Sequence, residues 1–212
     1  MRPKTVAMKR KNSVEAEKLN QRKRMKINVI GAGLAGCEAA YALATRGVQV
    51  DLYEMKPLKR SPAHHTALFA ELVCSNSLKA ARIDSAAGLL KEEMRRLGSI
   101  SMIAAERSSV AAGGALAVDR DTFSQIITDE IKNHSNITVH YEEVGEINPD
   151  EITIICSGPL TDGPLAETIK QLTDSDNLSF FDAAAPIVTA ESIDMSRAFC
   201  ASRYDKGGDD YI

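Results

Sequence analysis

Three glycines and one acidic residue have the spacing of a site that binds a dinucleotide. Gly31, Gly33 and Gly36 give the pattern G-x-G-x-x-G, and Glu54 lies 23 residues after Gly31. In such a pattern the first glycine permits a sharp turn, the second leaves room for a pyrophosphate, and the third lets a helix pack close to a sheet. The acidic side chain can accept hydrogen bonds from the adenosine ribose. These residues predict a site for a cofactor such as FAD or NAD.

The elements predicted around the glycines are those that this site needs. Residues 27–30 form a short apolar strand, residues 34–45 an alanine-rich helix that Gly47 ends, and residues 48–53 a second strand that leads into Glu54. The N-terminus of the helix would present unpaired N–H groups and a partial positive charge to the phosphates. The alternative interpretation is a tight strand–helix turn that binds no ligand.

A second set of reactive side chains lies in residues 55–78. Two prolines prevent a continuous helix through the first part of this segment, so we predict a mostly irregular conformation. The segment contains His64 and His65 and ends in the polar turn Cys74-Ser75-Asn76-Ser77. Long irregular segments after a cofactor-binding strand are usually functional, which favours a role in the site. Adjacent histidines cannot lie on one face of a helix or strand, so no metal site is predicted.

Hydrophobic periodicity over the rest of the chain predicts an α/β fold with a Rossmann-like parallel sheet. The turn Ser157-Gly158-Pro159 follows the last predicted strand, at the edge where such sheets bind ligands. The predicted strands are residues 100–110, 115–118, 137–141 and 152–156, and the predicted helices are residues 86–97, 122–133 and 165–172. The first of these helices is expected to turn an apolar stripe inward and its cations outward; the stripe is Leu89, Leu90, Met94 and Leu97, and the cations are Lys91, Arg95 and Arg96.

A basic extension and two domains are expected from these patterns and from the charge distribution. Residues 1–26 hold ten Lys/Arg and two Glu, a net charge of +8, whereas the whole chain has a net charge of −3. We interpret residues 1–25 as a disordered basic extension or a start-site artefact. A basic arm that contacts nucleic acid is the second interpretation, and an organellar targeting peptide, disfavoured by a leader with one Ser and one Thr, is the third. Residues 26–172 would form the Rossmann-like domain, and residues 173–212 would begin an inserted second domain that is truncated.

The remaining charge and cysteine patterns limit the class of protein. Residues 56–107 have a net charge of +4, which is either a surface where phosphates dock or a set of solvated charges. No apolar run approaches the roughly 20 residues that span a bilayer. The four cysteines show no Cys-x-x-Cys pairing, so we expect a reduced, cytoplasmic protein without a membrane segment. Cys37 is expected to pack in the core with a pKa lowered by the helix N-terminus, and Cys156 to lie in a buried strand.

Five motifs, in this order along the chain, resemble those of one known family. They are PAHHTALFAELVCSNSL, AGGALAVDR, CSGP, DAAAPIV and SRYDKG. Together they resemble the folate-dependent tRNA uracil-5-methyltransferases, bacterial flavoproteins that methylate the T-loop uridine of tRNA. The resemblance covers about residues 26–212, which is the whole chain except its basic leader.

The resemblance implies an activity, its cofactors and a set of site residues. FAD would be reduced by NAD(P)H, methylenetetrahydrofolate would supply the one-carbon unit, and the tRNA T loop would be the substrate. Cys74 would be catalytic. The residues implied to bind FAD are Gly31, Ala32, Gly33, Leu34, Ala35, Gly36, Glu54, Ser75, Asn76, Arg120 and Gly158.

Two other functions are compatible with these motifs, and the sequence differs from the family in length. A related flavoprotein family installs carboxymethylaminomethyl groups on wobble uridines and shares the glycine turn. A catalytically inactive fragment that binds FAD or tRNA is the second alternative. The family's chains are about twice as long, and they carry an Asn-Cys-Pro segment, with the cysteine thought to be the nucleophile, shortly after the SRYDKG motif. That segment would begin about where this sequence ends, at Ile212.

Overall fold

The computed structural model of this protein describes residues 26–174 and 190–199. The basic leader, the DAAAPIV and SRYDKG motifs and Cys200 lie outside the described residues. The chain divides into two compact units, residues 1–182 and residues 183–212. In the second unit a short 3₁₀ turn, Ala190–Ser192, precedes a turn in which Asp194 accepts hydrogen bonds from Ser196.

The described part of the first unit contains strands β1–β7 and helices α1–α5. Their bounds are β1 Lys26–Ile30, α1 Leu34–Ala44, β2 Gln49–Glu54, β3 Ser77–Ala80, α2 Ala86–Arg96, α3 Ile100–Arg107, β4 Ser109–Val110, β5 Ala115–Val118, α4 Arg120–Asn133, β6 Ile137–Tyr141, β7 Ile152–Ile155 and α5 Gly163–Thr173. None of the helices within residues 26–174 and 190–199 has the length and apolar character needed to cross a membrane.

Four parallel strands form the sheet that carries the glycine turn, in the order β6-β2-β1-β7. Val29 and Leu52 point from this sheet into the core, where they join Cys37 and Ala40 of α1 and Phe123 of α4. The small side chains of α1 let this helix lie close to the strands. The prediction of an α/β fold with a Rossmann-like parallel sheet is therefore confirmed.

Two predicted strands differ from the structure. Residues 115–118 form β5, but this strand lies in a separate antiparallel sheet of order β3-β5-β4. Most of residues 100–110 form the helix α3. Glu38 of α1 explains the helix, because its carboxylate accepts hydrogen bonds from the N–H groups of Ile100 and Ser101 at 3.0 and 3.2 Å. A carboxylate at a helix N-terminus satisfies amides that the helix itself leaves unpaired, and no local pattern in the sequence shows this contact.

The inward face of α2 was also predicted wrongly. Leu89, Leu90 and Leu97 are 49%, 56% and 72% exposed, whereas Lys91 is only 7% exposed. The cause is Gly88, where an added Cβ would lie 1.7 Å from the carbonyl oxygen of Arg82. This close backbone approach directs the neighbouring Lys91 inward, where its Nζ donates to the carbonyls of Ala80 and Ala87 at 3.1 Å.

Asp51 forms a buried polar contact on the sheet face opposite to Leu52. Its side chain forms an ion pair with Lys26 and shares a 3.0 Å hydrogen bond with Nε2 of His140. The His140 ring stacks on Tyr53 with 4.8 Å between the ring centroids. Burial acts to raise the pKa of Asp51, but the hydrogen bonds from Lys26 and His140 outweigh it and lower the pKa below its usual value.

We expect Asp51→Asn to reduce stability at neutral pH and to flatten its acid dependence. A carboxyl whose pKa is lower in the folded state stabilises the fold above its unfolded pKa of about 4, and this stabilisation is lost as the pH falls through the folded pKa. The substitution should lower the free energy of unfolding by about 1–2 kcal/mol at pH 7, and by less at pH 3. Urea unfolding at both pH values measures this. Asp150→Asn, at an exposed loop residue, is the control, and the same loss at both pH values for Asp51→Asn would contradict the assignment.

Candidate functional site

Gly31 starts the glycine turn directly after β1. Its N–H donates to the carbonyl of Tyr53 at 2.8 Å, and its φ of +97° is one that side-chain-bearing residues rarely adopt. An added Cβ would also lie 2.7 Å from the carbonyl oxygen of Cys156. Gly31 is therefore required by backbone conformation and by a close approach to the end of β7.

The space available for a side chain differs between Gly36 and Gly33. An added Cβ at Gly36 would lie 1.7 Å from the carbonyl oxygen of Gly31, whereas one at Gly33 would have no atom within 4 Å. The first turn of α1 begins at Gly33, whose carbonyl accepts from the N–H of Cys37 at 3.0 Å. Helix geometry leaves the N–H groups of residues 33–36 without intrahelical partners. Open space beside unpaired N–H groups fits a pyrophosphate.

Glu54 lies at the carboxyl end of β2, beside the glycine turn. Its side chain is buried, and its Oε2 and Oε1 accept hydrogen bonds from the N–H groups of Ala32 and Lys56, both at 2.9 Å. Each carboxylate oxygen can accept a second hydrogen bond, so the expected contact with a ribose hydroxyl stays a prediction. The structure adds a role that the sequence did not predict, because Glu54 also fixes the peptide of Ala32 inside the turn.

The turn after residue 73 joins the small antiparallel sheet. Asn76 exchanges hydrogen bonds with Val118: the Val118 N–H donates to the Asn76 carbonyl at 3.0 Å, and Nδ2 of Asn76 donates to the Val118 carbonyl at 3.1 Å. A guanidinium nitrogen of Arg120 donates to the carbonyl of Cys74 at 3.2 Å. The thiol of Cys74 and the side chain of Ser75 are exposed. Four predicted site residues are thus brought together, with the thiol accessible.

The same loop reaches the glycine turn. The N–H of Ala70 donates to the carbonyl of Ala32 at 2.9 Å. Cys74 follows four residues later, so its Cα lies within about 15 Å of the Ala70 Cα. The loop that carries the predicted catalytic cysteine is therefore hydrogen-bonded to the glycine turn four residues before that cysteine.

The last predicted site residue, Gly158, also lies beside the glycine turn. The N–H of Cys156 donates to the carbonyl of Ile30 at 2.7 Å, and a Cβ at Gly31 would lie 3.0 Å from the Cα of Ser157. Gly158 has a φ of +81°, and its carbonyl accepts from the hydroxyl of Thr161 at 2.6 Å. The carboxyl ends of β1 and β7 thus place the two predicted turns side by side.

The structure corrects the two predictions about buried cysteines. Burial raises the pKa of the Cys37 thiol, and the charge of Glu54 raises it further, so the predicted lowering by the helix N-terminus is wrong. The protonated Sγ of Cys37 donates to the carbonyl of Ala32 at 3.3 Å. Cys156 lies just after β7 and is only half-buried, and burial raises its pKa as well.

The histidines and neighbouring charges serve mainly to order the loop. His64 Nδ1 shares a 2.6 Å hydrogen bond with Ser61, and burial lowers the pKa of this histidine, as does the charge of Lys56. The Nζ of Lys56 is buried and donates to the carbonyl of Leu68 at 2.5 Å. Glu71 accepts from the N–H groups of residues 65 and 66. Within residues 26–174 and 190–199, no group of three His, Cys, Asp or Glu side chains could hold a metal ion.

Most of the Lys and Arg side chains in the positive region, residues 56–107, are buried or paired with carboxylates of the protein. Lys56 and Lys91 are buried. Five others form ion pairs with carboxylates: Lys59 with Glu143, Arg82 with Asp84, Arg95 with Glu92 and Glu106, Arg96 with Glu92, and Arg107 with Glu130. This pairing favours the interpretation of solvated helix and loop charges over a surface where phosphates dock.

Comparison with known proteins gives one family and a set of similar sequences. Residues 26–212 match the family model described as Glucose inhibited division protein A. A protein of Exiguobacterium sibiricum named methylenetetrahydrofolate–tRNA-(uracil-5-)-methyltransferase TrmFO is 58% identical over 187 residues. A protein of Acetivibrio thermocellus with the same name is 60% identical over 186 residues. Each alignment covers 88% of this chain and 43% of the relative, so the chain spans less than half the length of these relatives.

Solved structures show a weaker likeness. The crystal structure of THI4 from Thermovibrio ammonificans is 16% identical, with 66% of this chain and 47% of that chain covered and a TM-score of 0.32. The α/β assignment rests on the four-stranded parallel sheet itself.

Proposed function

Since this chain belongs to the glucose inhibited division protein A family, we propose that it is the FAD-binding part of an enzyme that methylates C5 of uracil in the T loop of tRNA. The observation that carries the proposal is the open space at Gly33, beside unpaired helix N–H groups and next to Glu54. The names of relatives 58% and 60% identical to this chain support the choice of reaction.

The residues around the glycine turn fit FAD. A Cβ at Gly33 would project into the open space beside the first N–H groups of α1. A bound pyrophosphate requires that this space stay empty, and glycine leaves it so. Residues 33–36 would hold the pyrophosphate, and Glu54 would hold the ribose. Ser75, Asn76, Arg120 and Gly158 would line the remainder of the site. When bound, FAD supplies the reducing equivalents that convert a methylene group into a methyl group.

Cys74, with its exposed thiol, is the cysteine of the described residues that the resemblance marks as catalytic, whereas the nucleophile that the family is thought to use belongs to the Asn-Cys-Pro segment. C5 of uracil is a poor nucleophile, and addition of a thiolate to C6 raises the electron density at C5. The hydrogen bond from Arg120 to the Cys74 carbonyl fixes the backbone of this turn and leaves Sγ free to reach a substrate. The target base must leave its stack to reach the thiol.

Several parts of the proposal rest on the names of the relatives and on the resemblance of motifs. NAD(P)H would be the reductant, methylenetetrahydrofolate the one-carbon donor and tRNA the substrate, in the cytoplasm. We further propose that residues 26–172 form the FAD domain and that residues 173–212 begin an inserted second domain.

The nucleoside content of tRNA tests the proposed reaction. Deletion of the gene should remove ribothymidine from the T loop and leave the wobble carboxymethylaminomethyl uridines unchanged, and the restored gene should recover it. Loss of the wobble nucleoside instead would assign the protein to the related reaction. Unchanged tRNA would favour an inactive fragment, and a purified protein that stays colourless in FAD would rule out FAD binding.

In the full-length protein we expect Cys74→Ala to reduce turnover by about a hundredfold, the size typical of removing a positioned reactive group, with FAD content nearly unchanged. The reason is that the thiol is exposed, whereas the contact with Arg120 uses the backbone carbonyl and survives the substitution. Flavin absorbance and methyl transfer to a T-loop RNA measure the two quantities. Cys74→Ser should be equally inactive, and Ser109→Ala, at an exposed residue of the same small sheet, should be active. Parallel losses of flavin and turnover in Cys74→Ala would instead make Cys74 structural.

A further inference from the structure

The peptide groups of Ala32 are fixed on both sides within the glycine turn. Its N–H donates to Glu54, and its carbonyl accepts from the N–H of Ala70 and from the thiol of Cys37. Ala32 is fully buried, so water cannot replace these partners. The direction of the next peptide, which leads into Gly33, therefore depends on Ala70.

Ala70 itself has an unfavourable backbone conformation. Its φ is +49°, in the left-handed region, and it is fully buried. A residue other than glycine stays in that region only where its surroundings hold it there. The partners that hold it come from α4, far along the chain.

Two buried hydroxyls of α4 hold the backbone on either side of the Phe69–Ala70 peptide. The N–H of Phe69 donates to Oγ1 of Thr128 at 2.9 Å, and Oγ of Ser124 donates to the carbonyl of Ala70 at 3.4 Å. The Thr128 hydroxyl in turn donates to the Ser124 carbonyl at 2.7 Å. Both side chains are 2% exposed, so loss of either hydroxyl would leave a buried polar group unpaired.

We propose that Thr128, assisted by Ser124, is a positioning residue for FAD binding. The two hydroxyls act through Phe69 and Ala70 and make no hydrogen bond to the glycine turn themselves. Thr128 holds Phe69, which keeps Ala70 left-handed, and Ala70 holds the carbonyl of Ala32. Without the hydroxyl, Ala70 relaxes toward an ordinary φ, its N–H leaves Ala32, and the first N–H groups of α1 lose their alignment. This inference rests on the proposed binding of FAD at the glycine turn.

Titration of the purified protein with FAD, followed by flavin fluorescence, tests the proposal. Thr128→Val, which replaces the hydroxyl by a methyl group of similar size, should weaken FAD binding about tenfold, which corresponds to about 1.4 kcal/mol. Thr128→Ser restores the hydroxyl and should bind within about twofold of the parent. Ile131→Val, a loss of one buried methyl group one turn along α4, is the control for destabilisation and should also bind within about twofold.

A double substitution separates positioning from general stability. Ala70→Gly keeps the N–H and adopts the left-handed φ without strain, so alone it should preserve affinity. In that background Thr128→Val should weaken binding only about two- to threefold, because the glycine no longer has to be held. A tenfold loss that persists in the Ala70→Gly background would overturn the proposal.

The remaining outcomes are also decisive. Equal losses in Thr128→Val and Ile131→Val, or unchanged affinity in Thr128→Val, would overturn the positioning role and leave the FAD assignment intact. A parent protein that binds no FAD would overturn the proposed function itself and this inference with it.

Discussion

Gly33→Val is expected to produce a protein that folds normally and does not bind FAD. The backbone at Gly33 has φ −73° and ψ −171°, which any residue can adopt, and an added Cβ would have no atom within 4 Å. The valine side chain therefore fits the fold. It fills the space beside the N–H groups of α1 that the pyrophosphate needs. Overpacking of this kind costs about 3 kcal/mol, or about a hundredfold in affinity.

Two measurements on the same preparation check this expectation. Thermal unfolding without FAD should be within about 2 °C of the parent, a difference of about 0.5–1 kcal/mol, while flavin absorbance should be absent after incubation with FAD and removal of the free flavin. Gly114→Val is the matched control, because a Cβ at Gly114 also meets no atom within 4 Å. That control should remain yellow. Retained flavin in Gly33→Val would contradict the placement of the cofactor.

Gly36→Ala is expected to have the opposite effect, a loss of the fold caused by one methyl group. The added Cβ would lie 1.7 Å from the carbonyl oxygen of Gly31 and 3.3 Å from the Cβ of Cys156. Relief would require α1 to move away from the sheet, and α1 contributes the buried Cys37 and Ala40 to the core. We expect the free energy of unfolding to fall by at least about 3 kcal/mol.

Urea unfolding by circular dichroism measures this loss, or soluble yield does if the variant fails to fold. Gly33→Ala, the same chemical change three residues earlier, is the control and should unfold like the parent. A Gly36→Ala protein with the parent's unfolding midpoint would show that α1 does not pack as described. Helix propensity alone favours alanine over glycine by about 1 kcal/mol, so only the tertiary contact explains the expected loss.

The local geometry of the glycine turn could be predicted from the sequence. The spacing of Gly31, Gly33 and Gly36 predicted the turn, the helix and the roles of the three residues, because each role follows from local backbone geometry. Periodicity correctly predicted α4, since Phe123, Ile127 and Ile131 recur at helical spacing and are fully buried. Local patterns carry such information because one face of an element meets one environment.

Contacts and burial that hydrophobic periodicity does not register account for the wrong predictions. The helix α3 depends on Glu38, which lies more than 60 residues earlier in the chain. The inward turn of Lys91 depends on the backbone contact of Gly88 with Arg82. The raised pKa of Cys37 follows from burial, which outweighs its position at a helix N-terminus. Glu38 is invisible to a local window of sequence, and the backbone contact of Gly88 with Arg82 is one that hydrophobic periodicity does not register.

The sequence by itself determined that a glycine turn of the dinucleotide-binding pattern joins the first strand and helix of an α/β domain, and its motifs indicated the family. The tertiary structure alone decided how that turn is held. Glu54, Ala70 and Cys37 meet at the peptide of Ala32, and Thr128 of α4 holds the N–H of Phe69, the residue before Ala70. A glycine pattern specifies which backbone angles and spaces are possible. The direction in which the amides point is set by buried hydrogen bonds between residues that are far apart in the chain.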